Sequence, residues 1–587
     1  MRRAEEVWMN TMRPGDVSGL MQRFGLSDVC ARILWNRGYR TEEAVAAFLA
    51  ENASAEVPKL SKTDAFVRVM REAIDEGRPI RVVGDYDVDG VTGTFLLVNA
   101  LRSLNVKVDY RIPDRVTDGY GISAEMVRAA AFDGIGTIVT VDNGIAAVRE
   151  LNAAKGLGIR TIVTDHHEPL KELPGADCIV DPKLDGDPDA KVLCGAVVAA
   201  ALADALLASY GEPGYFAEHA EILALATICD VMELTGAARA IVRAGLKKPL
   251  GKWNRGLQML ASCAGISAPI CTYDLSFVIG PCINSLGRLE TADYGVELLL
   301  AKNDAACRES ADRMVRVNSE RKEQTKYFTE LAIAEAARSI EAAGGDMPVL
   351  VLPMPQCHES IIGIVAGRVR ETYFRPTFVL AESANGSGLW KGSGRSVEGF
   401  CMVDALKECG DILERYGGHA MAAGITIRSD CISEFRERLA GSCRKSGVST
   451  KKTARIDLVM PFSYATADLV RELGRMEPFG NGNPRPVFAQ KGVVIREIRY
   501  MGKNSEFLRF TLTDAQGTSM RAVSFDDAQE FLSEMTEACG EDAVDAAFEG
   551  RGRADCAILY HPEINSYNDR EYLQLRLDGY HFTKKQA

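Results

Sequence analysis

With 587 residues, 47% of them hydrophobic and 26% charged, the chain is too long for one core and predicts roughly three to four globular domains. Its net charge of −12 argues against a uniformly phosphate-binding surface but leaves room for one basic groove. No apolar run reaches membrane-spanning length, and the fifteen scattered cysteines include no C-x-x-C pair, which argues against clustered zinc sites.

The start, Met-Arg-Arg-Ala-Glu-Glu-Val-Trp, does not read as a signal peptide, so a cytoplasmic protein with reduced thiols and no membrane contact is expected. Residues 1 to about 60 carry helical spacing (Leu20, Phe24, Leu26, then Ala31, Ile33, Leu34), with a capped start at Thr41-Glu-Glu. A packing role is expected of them.

From about Asp64 to Leu250 helix and strand patterns alternate. Strands are predicted at Arg81–Val83, Val106–Tyr110, Thr137–Val141, Arg160–Val163 and Cys178–Val180, the signature of a doubly wound parallel sheet in an α/β domain. In such a sheet the carboxyl ends share one edge, where ligands bind. The first end carries Asp85-Tyr-Asp-Val-Asp-Gly90, three acids in five residues; a lone D-x-D would read better as a solvated acidic turn. The later ends carry Asp142-Asn-Gly, Asp165-His-His and Asp181-Pro-Lys, and Asp230 closes the apolar run Ile222–Cys229. Crowded carboxylates repel unless a cation neutralises them. Carboxylates with imidazoles suit Mn²⁺ and tolerate Mg²⁺. There are enough of them for two ions about 4 Å apart bridged by a carboxylate, the arrangement that clamps an in-line phosphoryl displacement.

Asp304 to Ala343 is polar and free of glycine, predicting one helix roughly 60 Å long that joins two domains, with a coiled coil as the alternative. Beyond it, Pro348–Leu352 and Pro376–Leu380 read as strands around a helix at Ile361–Tyr373, opening a second α/β unit. Lys391-Gly-Ser-Gly-Arg-Ser396 is predicted as a glycine-rich stretch suited to an anion, and Gly417-Gly-His419 as a close backbone approach; each is equally a tight turn. From about Thr450, short strands at Val493–Arg499, Phe507–Thr513, Ser519–Phe525, Ala546–Gly550 and Leu573–Leu577 predict a small barrel.

The set Asp85-Tyr-Asp-Val-Asp-Gly, Val141-Asp-Asn-Gly, Asp165-His-His and Asp230 resembles the DHH phosphoesterases. Tyr110-Arg-Ile-Pro-Asp-Arg115, Asp118-Gly-Tyr-Gly-Ile, Leu193-Cys-Gly-Ala, Gly280-Pro-Cys-Ile-Asn-Ser-Leu-Gly-Arg-Leu, Gly363-Ile-Val-Ala-Gly-Arg and Gly417-Gly-His-Ala-Met-Ala-Ala-Gly are similar to that family's single-strand-specific 5′→3′ DNA exonucleases. The resemblance implies an N-terminal helical segment (1–60), a DHH domain (61–290), a connecting helix (291–344), a DHH-associated substrate-binding domain (345–448) and an OB-fold barrel (449–587).

It further implies that Asp87, Asp89, Asp142, His166 and Asp230 hold two Mn²⁺ or Mg²⁺ ions, with Asp142 shared. Asp85, Asp165 and His167 would support them or touch the scissile phosphate. Arg115 would capture a 5′ phosphate; Arg288, His358, Ser393, Arg395, Gly418 and His419 would line the substrate groove. In the barrel, Phe507, Phe510, Tyr500, Lys503 and Arg509 are candidates for holding a strand.

Two departures stand out: Cys282 replaces the family's arginine, and Ala237-Ala238-Arg239 replaces Glu-Asn-Arg, with Arg288 or Arg239 available to compensate. The expected partner is single-stranded DNA, with a helicase and a single-strand-binding protein implied by resemblance, and the chain is expected to be a monomer. The alternatives are a DHH phosphodiesterase of short oligonucleotides or cyclic dinucleotides, and a catalytically weakened single-strand-binding scaffold.

Overall fold

The computed structural model describes residues 6–50, 56–184, 186, 190–383, 388–449, 451–567 and 570–583. Its contacts divide into two units: Met1–Glu51 with Thr450–Glu477 and Arg485–Ala587, and Asn52–Ser449 with Pro478–Pro484. No helix among the described residues is long and apolar enough to cross a membrane.

In the first unit, β1 (Glu6–Asn10) precedes the helices Ser18–Phe24, Asp28–Asn36 and Glu42–Leu49. Thr41 caps the last of these, its hydroxyl accepting from the Ala44 N–H as its sequence neighbours predict. The strand was not legible, because its partner lies far along the chain.

The second unit begins with five parallel strands: β2 (Ile80–Val83), β3 (Val108–Arg111), β4 (Thr137–Val141), β5 (Arg160–Thr164) and β6 (Cys178–Val180). Their order is β3-β2-β4-β5-β6. Alternate residues point to opposite faces. Ile80, Val82, Val139 and Ile162 therefore join one apolar core, while Val83, Ile138 and Val163 join the other. Both faces are covered by helices, so the sheet is doubly wound as predicted. Each fully buried aliphatic contributes about 1.5–3 kcal/mol, which is why these β-branched runs are strands and not loops. The chain leaves β2 for β3 on one side and then crosses to β4 on the other, so the order reverses at β2. The loops after β2 and β4 flank the crevice where such sheets bind ligands.

The predicted connector is one 39-residue helix, Asp304–Ala342, capped by the Asn303 side chain on the Ala306 N–H. Its Cys307, Ala311, Met314 and Val317 pack into the core of the sheet lobe, and Ala332 and Ala336 into that of the next lobe. It is therefore a strut rather than half of a coiled coil. The second lobe contains β7 (Leu350–Pro353), β8 (Thr377–Glu382), β9 (Leu389–Arg395), β10 (Leu413–Gly418) and β11 (Ala422–Arg428), ordered β10-β11-β9-β8-β7. The glycine-rich stretch Lys391–Ser396, for which a tight turn was the alternative, lies in strand β9 up to Arg395. Gly392 faces Leu380 and Ile425, and Gly394 faces the Phe378 ring, each so closely that a Cβ would overlap them.

The first unit resumes with β12 (Lys452–Ile456), which pairs in parallel with β1, and β13 (Leu458–Val459). Then β14 (Phe488–Met501), β15 (Phe507–Thr513), β16 (Ser519–Ser524), β17 (Ala554–Tyr567) and β18 (Arg570–Phe582) follow in the order β14-β15-β16-β18-β17 and close through β14–β17. This is the expected barrel, with the topology of an OB fold. Ala546–Gly550, predicted as a strand, belongs instead to the end of the helix Glu541–Phe548 and the turn after it. Its apolar run was too short to separate the two periods. The strand itself starts at Ala554.

Candidate metal centre and its phosphate-facing wall

Asp87 ends the loop after β2 as the N-cap of the helix Val88–Ser103, one carboxylate oxygen accepting from the N–H groups of Asp89 and Gly90. Asp89, in the first turn of that helix and fully buried, accepts from the Gly195 and Ala196 N–H groups at 2.6 and 2.8 Å. Those N–H groups open the helix Gly195–Ala208, so a second helix N-terminus supports the charge. Asp85 is buried and one of its oxygens has no hydrogen-bond partner.

After β4, Asp142 adopts a left-handed backbone (φ 59°), turning its carboxylate toward the same crevice. After β5, Asp165 accepts from the His166, His167 and Ile145 N–H groups and lies 2.8 Å from His167 Nδ1. His166 Nε2 lies 3.0 Å from Asp142, 3.5 Å from Asp89 and 3.5 Å from Asp230. Asp230 enters from the C-terminus of the helix Ala220–Cys229.

All eight predicted residues of this cluster therefore meet at one sheet edge. Within it, three groups place ligand atoms within 4.8 Å of one another: Asp85–Asp87–Asp142, Asp89–His166–Asp230 and Asp142–His166–His167. Asp142 belongs to two of them. Asp85, expected only as support, stands among possible ligands.

The electrostatics are those of crowded, buried carboxylates. Burial, then repulsion from Asp87, drives Asp85 well above the carboxylate range, and burial with repulsion from Asp89, Asp87 and Asp85 does the same to Asp142. Asp230 is pushed up to about 9 by burial and by Asp89 and Asp87. Burial lowers His166, leaving a neutral imidazole with a lone pair to offer. Burial opposes charge on Asp165 and His167 too, but their mutual hydrogen bond wins, lowering Asp165 and raising His167 to about 9. Carboxylates that repel one another, an orphaned buried oxygen and a neutral imidazole together fit hard divalent cations. Asp181, after β6, is half-tied by the Lys183 N–H and is pushed up to about 6 by burial.

Two supports were not singled out from the sequence. Buried Asn143 donates to the carbonyls of Val83, Gly84 and Val141 and accepts from the Ile122 N–H, clamping the β2 and β4 loops together. Asn143→Ala is expected to destabilise the chain by roughly 3 kcal/mol, because four buried peptide groups lose a hydrogen-bond partner. Chemical denaturation would measure this, and a loss under about 1 kcal/mol would refute the clamp. Exposed Tyr120 donates to the Asp142 carbonyl and packs edge-on against His167.

The other predicted residues form a wall shared by the sheet lobe and the second lobe. The Arg115 guanidinium lies over the Tyr86 ring at 4.6 Å and moderates the charge of Asp85. Arg288, in the last turn of the helix Gly280–Leu289, donates to the Ser360 carbonyl at 2.7 Å. His358 Nδ1 lies 2.6 Å from the Ser360 hydroxyl. Arg395 donates to the Ser393 hydroxyl, and both crowd the place where a side chain on Gly363 would sit. Arg395 and Arg288 both feel the charge of Arg115.

Gly418 and His419 form the β10–β11 turn. Gly418 has φ 142°, and a Cβ there would strike the Ala422 carbonyl, so the turn needs glycine. Exposed His419 lowers the pKa of Glu168, the residue after the histidine pair, behind the larger effect of Lys183, so the hairpin reaches toward the metal cluster. Arg239 does not compensate for Cys282: it is buried with its guanidinium on the Pro478 carbonyl. Cys282 is also buried.

In the barrel, Phe510 is a core residue packed on Phe531, not a surface contact. Tyr500 is exposed and stacked on Phe548, Phe507 lies edge-on to Phe525, and Lys503 and Arg509 are exposed.

A doubly wound sheet with this carboxylate–imidazole edge defines a DHH-type phosphoesterase domain. Residues 79–227 match the DHH family N-terminal domain, 346–445 the DHHA1 domain and 456–579 the RecJ OB domain. The chain belongs to the RecJ family. It is 36% identical to the single-stranded-DNA-specific exonuclease RecJ of Dickeya dadantii, over 72% of this chain and 76% of that one. It is 33% identical to the Bacillus subtilis protein of the same name over 87% of its own length, and spans 64% of that relative. The Mn²⁺ complex of Thermus thermophilus RecJ superposes with a TM-score of 0.82 at 27% identity, covering 99% of this chain and 80% of that one.

Proposed function

We propose that this chain is a divalent-metal-dependent exonuclease that removes nucleotides from the 5′ end of single-stranded DNA. One juxtaposition carries the proposal: mutually repelling carboxylates gathered beside a group of guanidinium groups, with Arg115 coupled to both sets. The names of the relatives agree with it. Asp85, Asp87 and Asp142 would hold one ion, and Asp89, His166 and Asp230 a second, with Asp142 common to both. When bound, such ions acidify a water and neutralise charge on the transferring phosphoryl group.

The chain's own residues do the rest. Asp165 fixes the ring of His167 at Nδ1 and leaves its other edge toward substrate. Asn143 keeps the β2 and β4 loops at one spacing, so the reacting groups are held before substrate arrives. Arg115 would grip the 5′ phosphate and so set polarity. Tyr500, and Phe525 beside Arg576, would offer the strand stacking surfaces on the barrel.

The test uses a single strand labelled at either end. Labelled mononucleotide released first from the 5′ end, and abolished by EDTA, is the expected result. Release from the 3′ end, or a preference for dinucleotides over long strands, would overturn the proposal, the latter in favour of a small-substrate phosphodiesterase.

A further inference from the structure

Arg321, midway along the connecting helix, has no part in the site described so far. It stands at the junction of that helix with Gly280–Leu289 and with the second-lobe helix Ile362–Tyr373, where it feels Arg368 and in turn depresses Arg288. Arg115, Arg288, Arg321 and Arg395 thus form a basin of four guanidinium groups, at least half buried. Among the described residues none of the four makes an ion pair with a carboxylate, although the chain carries 81 acids against 69 bases. Placing like charges together away from water is unfavourable unless an opposite charge compensates them. Such a basin persists where a ligand supplies the opposite charge.

The aim of Arg321 is built rather than accidental. Its Nη2 donates to Asn318 Oδ1 at 2.7 Å, one helical turn back. Asn318 is 3% exposed and donates its Nδ2 to Cys282 Sγ at 3.3 Å. The guanidinium, a donor only, takes the amide oxygen and so turns Nδ2 to the thiol, which anchors the amide; one guanidinium N–H is spent on Asn318, leaving the others for a ligand.

We propose that Arg321 is a specificity-determining residue that binds a strand's terminal phosphate together with Arg288, and that Asn318, seated on Cys282, is its positioning residue. This rests on the exonuclease proposal. A terminal phosphomonoester carries close to two negative charges near neutral pH, whereas an internal diester carries one. A basin of four cations discriminates between them in favour of the terminal group.

The experiment compares 5′-phosphorylated and 5′-hydroxyl single strands of one sequence on the full chain, by kcat/KM with Mn²⁺ and by anisotropy in EDTA. In Arg321→Gln the preference for the phosphorylated strand is expected to fall about tenfold in both readouts; Arg321→Lys should recover part of it. Asn318→Leu should lose preference in the same direction but by less. An equal loss on both strands, or an unchanged preference, overturns the proposal. If Arg321→Gln does not fold, an unchanged preference in Arg321→Lys and Asn318→Leu overturns it as well. A wild-type chain that binds the two strands differently in EDTA yet degrades neither would refute the exonuclease proposal and leave this one standing.

Discussion

Asparagine in place of Asp142 is expected to lower nucleotide release by on the order of 10³-fold or more while raising the thermal stability of the metal-free chain. Asparagine is the informative substitution because it tolerates the left-handed backbone at this position, which alanine would strain. It removes the one carboxylate common to two ligand groups. It also removes a buried carboxyl that burial and the charges of Asp89, Asp87, Asp85 and Asp230 oblige to hold a proton in the metal-free folded chain, a cost the unfolded chain does not bear. Relief of about 1–2 kcal/mol corresponds to a rise of roughly 2–4 °C in Tm for a lobe of this size. Calorimetry in EDTA and Mn²⁺ titration of the same sample would check both halves. Near-normal turnover with tight Mn²⁺ binding would refute the shared role.

The same repulsion gives a pH signature. Asp230 holds its proton up to about 9 in the folded chain, whereas an unfolded carboxylate releases it near 4. Its contribution is therefore fully present below about pH 4 and is lost as pH rises toward 9. Metal-free stability should fall across that window in the wild type, and saturating Mn²⁺ should flatten the slope.

Gly195→Ala is expected to lower activity by on the order of 10²-fold or more. A Cβ on Gly195 would stand 2.7 Å from Asp142 Cβ and 3.0 Å from an Asp89 oxygen, so one methyl displaces two candidate ligands. Alanine at a helix start should otherwise help by up to about 1 kcal/mol, and overpacking costs about 1–3 kcal/mol. The sign of the stability change thus reports which of the two effects wins. A stabilised, fully active Gly195→Ala protein would show that the methyl displaces neither ligand.

The metal cluster was legible because its residues sit at strand ends, and parallel strands bring their ends together whatever their order. The supports were not. Asn143 appeared only as the middle of Asp142-Asn-Gly; nothing local says that its amide reaches Val83 and Gly84, some sixty residues back. Gly195 opens an apolar helix in Leu193-Cys-Gly-Ala, yet its need for smallness comes from Asp142 in another loop. Glycines at 392 and 394 suggested an anion-binding stretch or a tight turn because their packing partners, Phe378, Leu380 and Ile425, belong to neighbouring strands. Each miss is a contact between distant segments, which periodicity does not encode.

The pairing of β1 with β12 has a consequence for biosynthesis. Arg37 and Asp457, in the same unit, are 420 residues apart. At roughly 5–20 residues per second, the amino-terminal segment leaves the ribosome tens of seconds before its partner exists. The lobes from Asn52 to Ser449 can assemble meanwhile, so a nascent chain has a long interval in which the edge of β1 is available to chaperones or to wrong strands.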